Sequence, residues 1–180
     1  MLMSMEYTVY TPLQEISDEI IPALVSELNK FDMICEIHPD VSFADSPGFV
    51  PFKFRLDAIQ FPEIAGKDLV SGVEISIYDF EADEQGNPYF GSEEDSQQGQ
   101  YNKIVSFHFT GVSDRFEFRF ACLTSAVLTN LLNGIRSDDD WNMSKGSAAI
   151  VAEAWNEVKS YEEYCARELD IPYHEFEGWT

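Results

Sequence analysis

From Val50 to Ile59 the chain reads VPFKFRLDAI, in which Phe52, Phe54 and Leu56 alternate with Lys53, Arg55 and Asp57. Only an extended strand sends successive side chains to opposite sides, so this segment has one apolar and one polar face. The pattern returns at Val73, Ile75 and Ile77 in VEISIYDF, and at Val105, Phe107 and Phe109 in NKIVSFHFTG. Strands that bury a single face belong to antiparallel sheets with one solvated side. Met5 to Thr11 and the segment DMICEIHP, ended by Pro39, read as two more strands, about five in all.

Three other stretches have helical spacing. In SDEIIPALVSELNKF, Ile20, Leu24 and Leu28 lie four apart, and the spacing predicts a helix from about Ser17 to Lys30. Ser17 is its expected cap, and Pro22 falls near the first turn, where a missing N–H costs little. In SDRFEFRFACLTSAVLTNLLNG, the residues Phe116, Phe120, Leu123, Val127 and Leu131 form a stripe, with Ser113 expected to start the helix and Gly134 to end it. IRSDDDWNMSKGS reads as a loop. AAIVAEAWNEVKSYEEYCAREL reads as a final helix with Val151, Trp155 and Val158 on one side, followed by a tail whose Tyr173, Phe176 and Trp179 can fold back on the body. The expected fold class is α+β: a twisted antiparallel sheet of about five strands with helices packed on one face. At 180 residues the chain is expected to be a single domain, 1–180, with a long acidic loop at 79–101.

Charge narrows the function. There are 33 Asp and Glu against 11 Lys and Arg, a formal net charge of −22. Nucleic acid and anionic membrane surfaces both need cations on the protein, so neither is an expected partner. A basic protein partner, or plain solubility, fits better. The acid is concentrated: between Tyr78 and Tyr101 lie Asp79, Glu81, Asp83, Glu84, Glu93, Glu94 and Asp95, with no Lys or Arg. The three cysteines, Cys35, Cys122 and Cys165, are widely spaced in apolar segments and are expected to be buried free thiols in a reducing compartment. No basic region followed by an apolar run opens the sequence, and no stretch approaches the length of a membrane span, so the expected location is cytoplasmic.

Searches for chemistry return little. The sequence has no G-x-S-x-G, H-E-x-x-H, G-x-x-x-x-G-K-[ST] or C-x-x-C. His38, His108 and His174 are far apart, and His108 is expected on the polar face of its strand, away from Val105 and Phe107. A Cys122–His108 pair would need a reactive thiol, whereas Cys122 reads as core. DFEADEQGNPYF spaces oxygens as a calcium loop does, but has Glu84 where glycine is required and Phe90 where a bidentate Glu is required. No cofactor or metal is therefore expected.

RSDDDWNMS places Asp138, Asp139 and Asp140 beside Trp141. Acids around an aromatic anchor suit an interface for a cationic partner, the ring supplying buried area and the acids steering. The bland alternative is a solvated turn with Trp141 packed on the final helix. The run from Leu123 to Ser144, LTSAVLTNLLNGIRSDDDWNMS, with an acidic helix after it, resembles small acidic bacterial immunity-type proteins, which neutralise toxins. The resemblance lies in general character and carries over no functional residues. It implies a non-catalytic, stoichiometric inhibitor of a basic bacterial toxin. The expected partner-binding residues are Asp138, Asp139, Asp140 and Trp141, with Glu81, Asp83, Glu84, Glu93, Glu94 and Asp95 of the acidic loop. An adaptor or scaffold whose acids serve solubility, and an enzyme with an unrecognised site, are the alternatives.

Overall fold

The alternating segments do pair side by side, in a wider sheet than their number implied. The computed structural model describes residues 4–57, 61–81, 101–140, 142–168 and 170–179. In chain order they form β1 (Met5–Thr11), α1 (Ile20–Leu28), β2 (Met33–Ile37), β3 (Gly48–Leu56), β4 (Leu69–Asp79), β5 (Lys103–Phe109), α2 (Glu117–Leu131), β6 (Ile135–Ser137), β7 (Met143–Lys145), α3 (Ala148–Glu168) and β8 (His174–Glu175). The architecture is α+β, with an open antiparallel sheet in the order β2-β3-β4-β5-β1-β6-β7 and β8 paired to β4.

The sheet has 8 strands, not about five. The additional strands are the three-residue β6 and β7 and the two-residue β8. Segments this short carry no readable period, and they become strands because a neighbour offers an edge. IRSDDDWNMSKGS is accordingly a hairpin rather than a loop: Ile135 lies opposite Lys145, and Ser137 opposite Met143. β4 is long enough to serve two partners on one side, pairing β8 at Leu69 and Val70 and β5 from Glu74 to Asp79.

Pro51 lies inside β3, which has neighbours on both sides. Its carbonyl accepts from His38 N at 3.1 Å, just past the end of β2. In an antiparallel strand a residue's N and O point the same way, so the missing donor falls where the ladder to β2 stops and takes no bond from β4.

One sheet face is the core. Tyr7 and Val9 of β1, Val50, Phe52, Phe54 and Leu56 of β3, Val73 and Ile75 of β4, and Val105, Phe107 and Phe109 of β5 are buried. α2 lies on this face: Phe120 stacks on Phe52 at 4.3 Å and meets Phe54 edge-on at 5.0 Å. α1 and α3 pack on α2 in turn, so α2 is enclosed and every residue from Arg119 to Thr129 is buried. Of the expected stripe, Phe116 and Phe120 meet Phe54 of the sheet, and the stripe said nothing of the other packed sides.

Enclosure forces the polar residues of α2 to find partners. Thr129 Oγ1 donates to Ser125 O at 2.7 Å. Arg119 pairs in two-pronged fashion with Glu162 of α3, Nε to Oε1 at 2.6 Å and Nη2 to Oε2 at 3.0 Å, and donates to Phe31 O at 2.9 Å. Both side chains are essentially inaccessible, at 0% and 1% exposure. Burial pushes the Glu162 carboxyl upward, against the pull of Arg119.

Helix ends differ from expectation in detail. α1 begins at Ile20 after Glu19, with no side-chain cap on the helix. Ser17 Oγ instead accepts from Glu19 N at 3.2 Å. Ser113 does not cap α2; Asp114 Oδ1 accepts from Phe116 N at 2.8 Å. At the other end the left-handed residue is Asn133, with φ of 52°, and Gly134 N closes back on Thr129 O at 2.9 Å. On α3 the buried line is Ile150, Ala154, Val158, Glu162 and Cys165, rotated from the expected Val151–Trp155–Val158 face.

Candidate partner-binding face

The sheet face turned away from α2 is set by the residues between the core positions; Ser106, Ser137, Tyr10 and Ile135 on it are buried, and Glu74 and Tyr78 are exposed. Strand register puts them in rows across β4, β5, β1 and β6. Glu74 lies beside His108, and His108 beside Glu6. Next come Ser76, Ser106, Thr8 and Ser137, four hydroxyls on four neighbouring strands. The third row is Tyr78, Ile104, Tyr10 and Ile135.

A hollow of about 270 Å³ opens where these rows meet the β6–β7 hairpin, lined by Glu6, Thr8, Tyr10, Tyr78, Ser137, Asp138 and Asp139. Among the described residues no Lys or Arg lines it. Tyr78 is 47% exposed, and its hydroxyl is 3.0 Å from Ser106 Oγ, which fixes the ring against the sheet. His108 Nε2 is 3.8 Å from Glu6 Oε1, and Thr8 Oγ1 donates to the same carboxylate at 3.3 Å. The arrangement offers carboxylates around an aromatic floor, which suits a cationic side chain by charge and by cation–π contact.

The three aspartates of the hairpin divide by role. Asp138 Oδ1 accepts from Asp140 N at 2.9 Å and Asn142 N at 3.0 Å, which closes the turn. Asp139 Oδ1 accepts from Glu6 N at 2.9 Å and so prolongs the β1–β6 pairing by a side chain. Asp140 is exposed. Trp141 lies outside the described residues, as do Asp83, Glu84, Glu93, Glu94 and Asp95 and most of the segment tested as a calcium loop. Glu81 is exposed just beyond β4. The ends of that acidic stretch are held together by Lys103 Nζ and Asp79 Oδ1 at 2.6 Å and by Phe80 N and Asn102 O at 2.9 Å. Glu6, Glu74, Thr8 and Tyr78 were missed as site residues. Each is the polar-face neighbour of a core residue in a segment already read as a strand, so the signal was present, but the register that unites them was not.

No protein-family model matches the chain, and no curated protein or solved structure matches it. The chain's own geometry therefore carries the functional reading.

A second cluster lies buried on the helix side. Arg136 Nη1 donates to Cys122 O at 3.2 Å and Ser125 Oγ at 3.0 Å, and its guanidinium sits 4.4 Å from the centre of the Tyr7 ring. Tyr7 Oη donates to Cys122 Sγ at 3.6 Å. Burial pushes the Cys122 thiol up to about 11 despite the pull of Arg136, so the thiol stays protonated and is a poor nucleophile. His108 faces the opposite side of the sheet and cannot reach it. Cys35 and Cys165 are also free and buried, Cys35 pushed up to about 12 by burial. Among the described residues no cluster of three His, Cys, Asp or Glu is arranged to hold a metal, and no helix is long and apolar enough to cross a membrane.

Proposed function

We propose that the protein is a non-catalytic acidic binding protein that takes a basic protein partner on the face of β4, β5, β1 and β6 turned away from α2. The observation that carries this reading is the hollow where Glu6, Asp138 and Asp139 lie around Tyr10 and Tyr78, with no Lys or Arg among the described residues that line it. A Lys or Arg side chain of the partner would enter it, the carboxylates pairing with the charge and Tyr78 supplying the flat contact. The overall charge of −22 would raise the encounter rate with such a partner. The immunity-type resemblance makes a basic bacterial toxin the natural partner, and three buried free thiols fit a cytoplasmic, reducing setting.

The test is association with a labelled oligo-arginine peptide at low ionic strength. Binding should weaken steeply with salt. The variant Glu6→Gln/Glu74→Gln/Asp139→Asn should lose about tenfold in affinity, mostly through slower association. Asp138 is left intact because its carboxylate closes the hairpin. A control variant, Glu153→Gln/Glu163→Gln on α3, should bind nearly as the native chain does. Equal losses in the two variants would show a nonspecific charge effect and overturn the assignment of the face.

A further inference from the structure

Residues 170–179 run across the far end of the same sheet. Arg115 N donates to Pro172 O at 2.8 Å, and Arg115 Nε to Ile171 O at 3.1 Å. β8 then adds only His174 and Glu175 to β4, and Phe176 N donates to Asp68 O at 2.8 Å. Lys67 Nζ reaches Glu175 Oε1 at 3.0 Å, and Lys53 Nζ stands 4.9 Å from the centre of the Phe176 ring. Gly178, at φ of 119°, turns the chain in a conformation other residues rarely adopt. Trp179 then lies edge-on to both His38 and Phe176, at 4.8 Å from each.

The chemistry of segment and groove is complementary. Lys53, Lys67 and Arg115 are three of the 11 Lys and Arg in a chain of net charge −22, and all three touch this segment: Lys67 at Glu175, Lys53 at the Phe176 ring and Arg115 at the Tyr173 ring. The segment brings Asp170, Glu175 and Glu177 together with Tyr173, Phe176 and Trp179, and has no Lys or Arg. Beside it a hollow of about 180 Å³ is lined by Ile34, which is 60% exposed, by Phe54, and by Lys53 and Arg55 with their ion-pair partners Glu36 and Asp68. The attachment is firm at one end and slight at the other. Ile171 is buried, and Ile171 and Pro172 accept from Arg115. From His174 onward the chain is held by a two-residue ladder, single bonds to Ser113 O and Asp68 O, ring contacts and an exposed ion pair. Opening the part from His174 onward costs much less than unfolding the sheet beneath it.

We propose that residues 170–179 are a displaceable strap, an internal ligand seated in a strand-addition groove on β4. The external ligand of that groove is an extended, acidic segment of a partner polypeptide with aromatic side chains. The edge of β4 at Leu69 and Val70 supplies main-chain hydrogen bonds, Lys67 supplies charge, and Lys53 and His38 receive aromatic rings as they receive Phe176 and Trp179. While seated, the strap lowers the groove's apparent affinity by the fraction of molecules in which it is closed. The inference is independent of the partner proposed above, because it concerns another part of the face and the opposite charge.

The test uses the full chain and a labelled peptide, DIPYHEFEGW, copied from the strap. Phe176→Ala/Trp179→Ala should bind the peptide at least about tenfold tighter than the native chain does. Adding Lys53→Glu and Lys67→Glu should abolish that gain. Failure of a cooperatively melting Phe176→Ala/Trp179→Ala variant to bind the peptide overturns the proposal. If that variant does not melt cooperatively, hydrogen exchange on the native chain decides. The Phe176 amide should exchange at least about 100-fold faster than the amides of the β4–β5 ladder, and equal protection overturns the proposal. Native dimers that the peptide dissolves would assign the groove to the strap of a second copy, and would overturn the assignment to a foreign partner.

Discussion

Arg119 is the residue on which the helical layer turns. Its guanidinium ties α2 to α3 through Glu162, reaches Phe31 before β2, and lies 5.2 Å from the centre of the Trp155 ring. A buried ion pair is not a large stabiliser in itself, because desolvation offsets most of the attraction, but losing one partner leaves an uncompensated charge in the interior. Glu162→Gln should therefore cost about 3–5 kcal/mol in urea denaturation. The joint replacement Arg119→Met/Glu162→Leu, which removes both charges, should recover most of that loss. A Glu162→Gln variant as stable as the native chain would mean that the pair is hydrated and the helices are held by their apolar contacts alone.

At the scale of elements, the contact between β1 and the end of α2 decides whether the hairpin joins the sheet. The chain leaves α2 through Asn133 in the left-handed region and passes Tyr10 so closely at Gly134 that a Cβ there would collide with the Tyr10 carbonyl oxygen. Gly134 is thus needed for close approach rather than for its backbone freedom, which is used one residue earlier. Thr11 Oγ1 donates to Leu132 O at 2.6 Å in the same corner. Gly134→Ala should push β6 away from β1 and cost about 1–3 kcal/mol in denaturant melts. It should also disturb the amide signals of Glu6 to Tyr10 in a nitrogen-correlation spectrum. Unshifted Glu6 to Tyr10 signals would show that the corner has slack. The hollow beside Asp139 depends on this corner, so the candidate face is built by packing on the opposite side of the sheet.

For the whole molecule, the cations are few and unevenly placed. Arg119 and Arg136 are interior, and Lys53, Lys67 and Arg115 touch the strap. The rest of the surface is left strongly electronegative, and its self-repulsion opposes the folded state. Salt shortens the reach of that repulsion from about 30 Å at ~0.01 M to about 3 Å at ~1 M. Calorimetry should accordingly show Tm rising with sodium chloride, by about 2–4 °C for each kcal/mol recovered. A falling Tm would mean that the exposed ion pairs, such as Lys67–Glu175 and Arg55–Asp68, outweigh the repulsion.

The amino-acid order by itself determined which segments are strands with one apolar face and which are helices. Alternation at Phe52, Phe54 and Leu56, or at Val105, Phe107 and Phe109, is local information, and burying those side chains overrides any competing choice. It also determined that His108 and Cys122 lie apart, because strand alternation sends His108 away from the core. Tertiary structure alone decided the short strands β6, β7 and β8, whose pairing energy comes from a neighbour's edge rather than from their own composition. It decided the enclosure of α2 as well, since a helical stripe reports one packed side and cannot announce a second layer. The candidate face belongs with these: Glu6, Glu74, Tyr78 and Asp139 are far apart in sequence, and only strand register makes them neighbours.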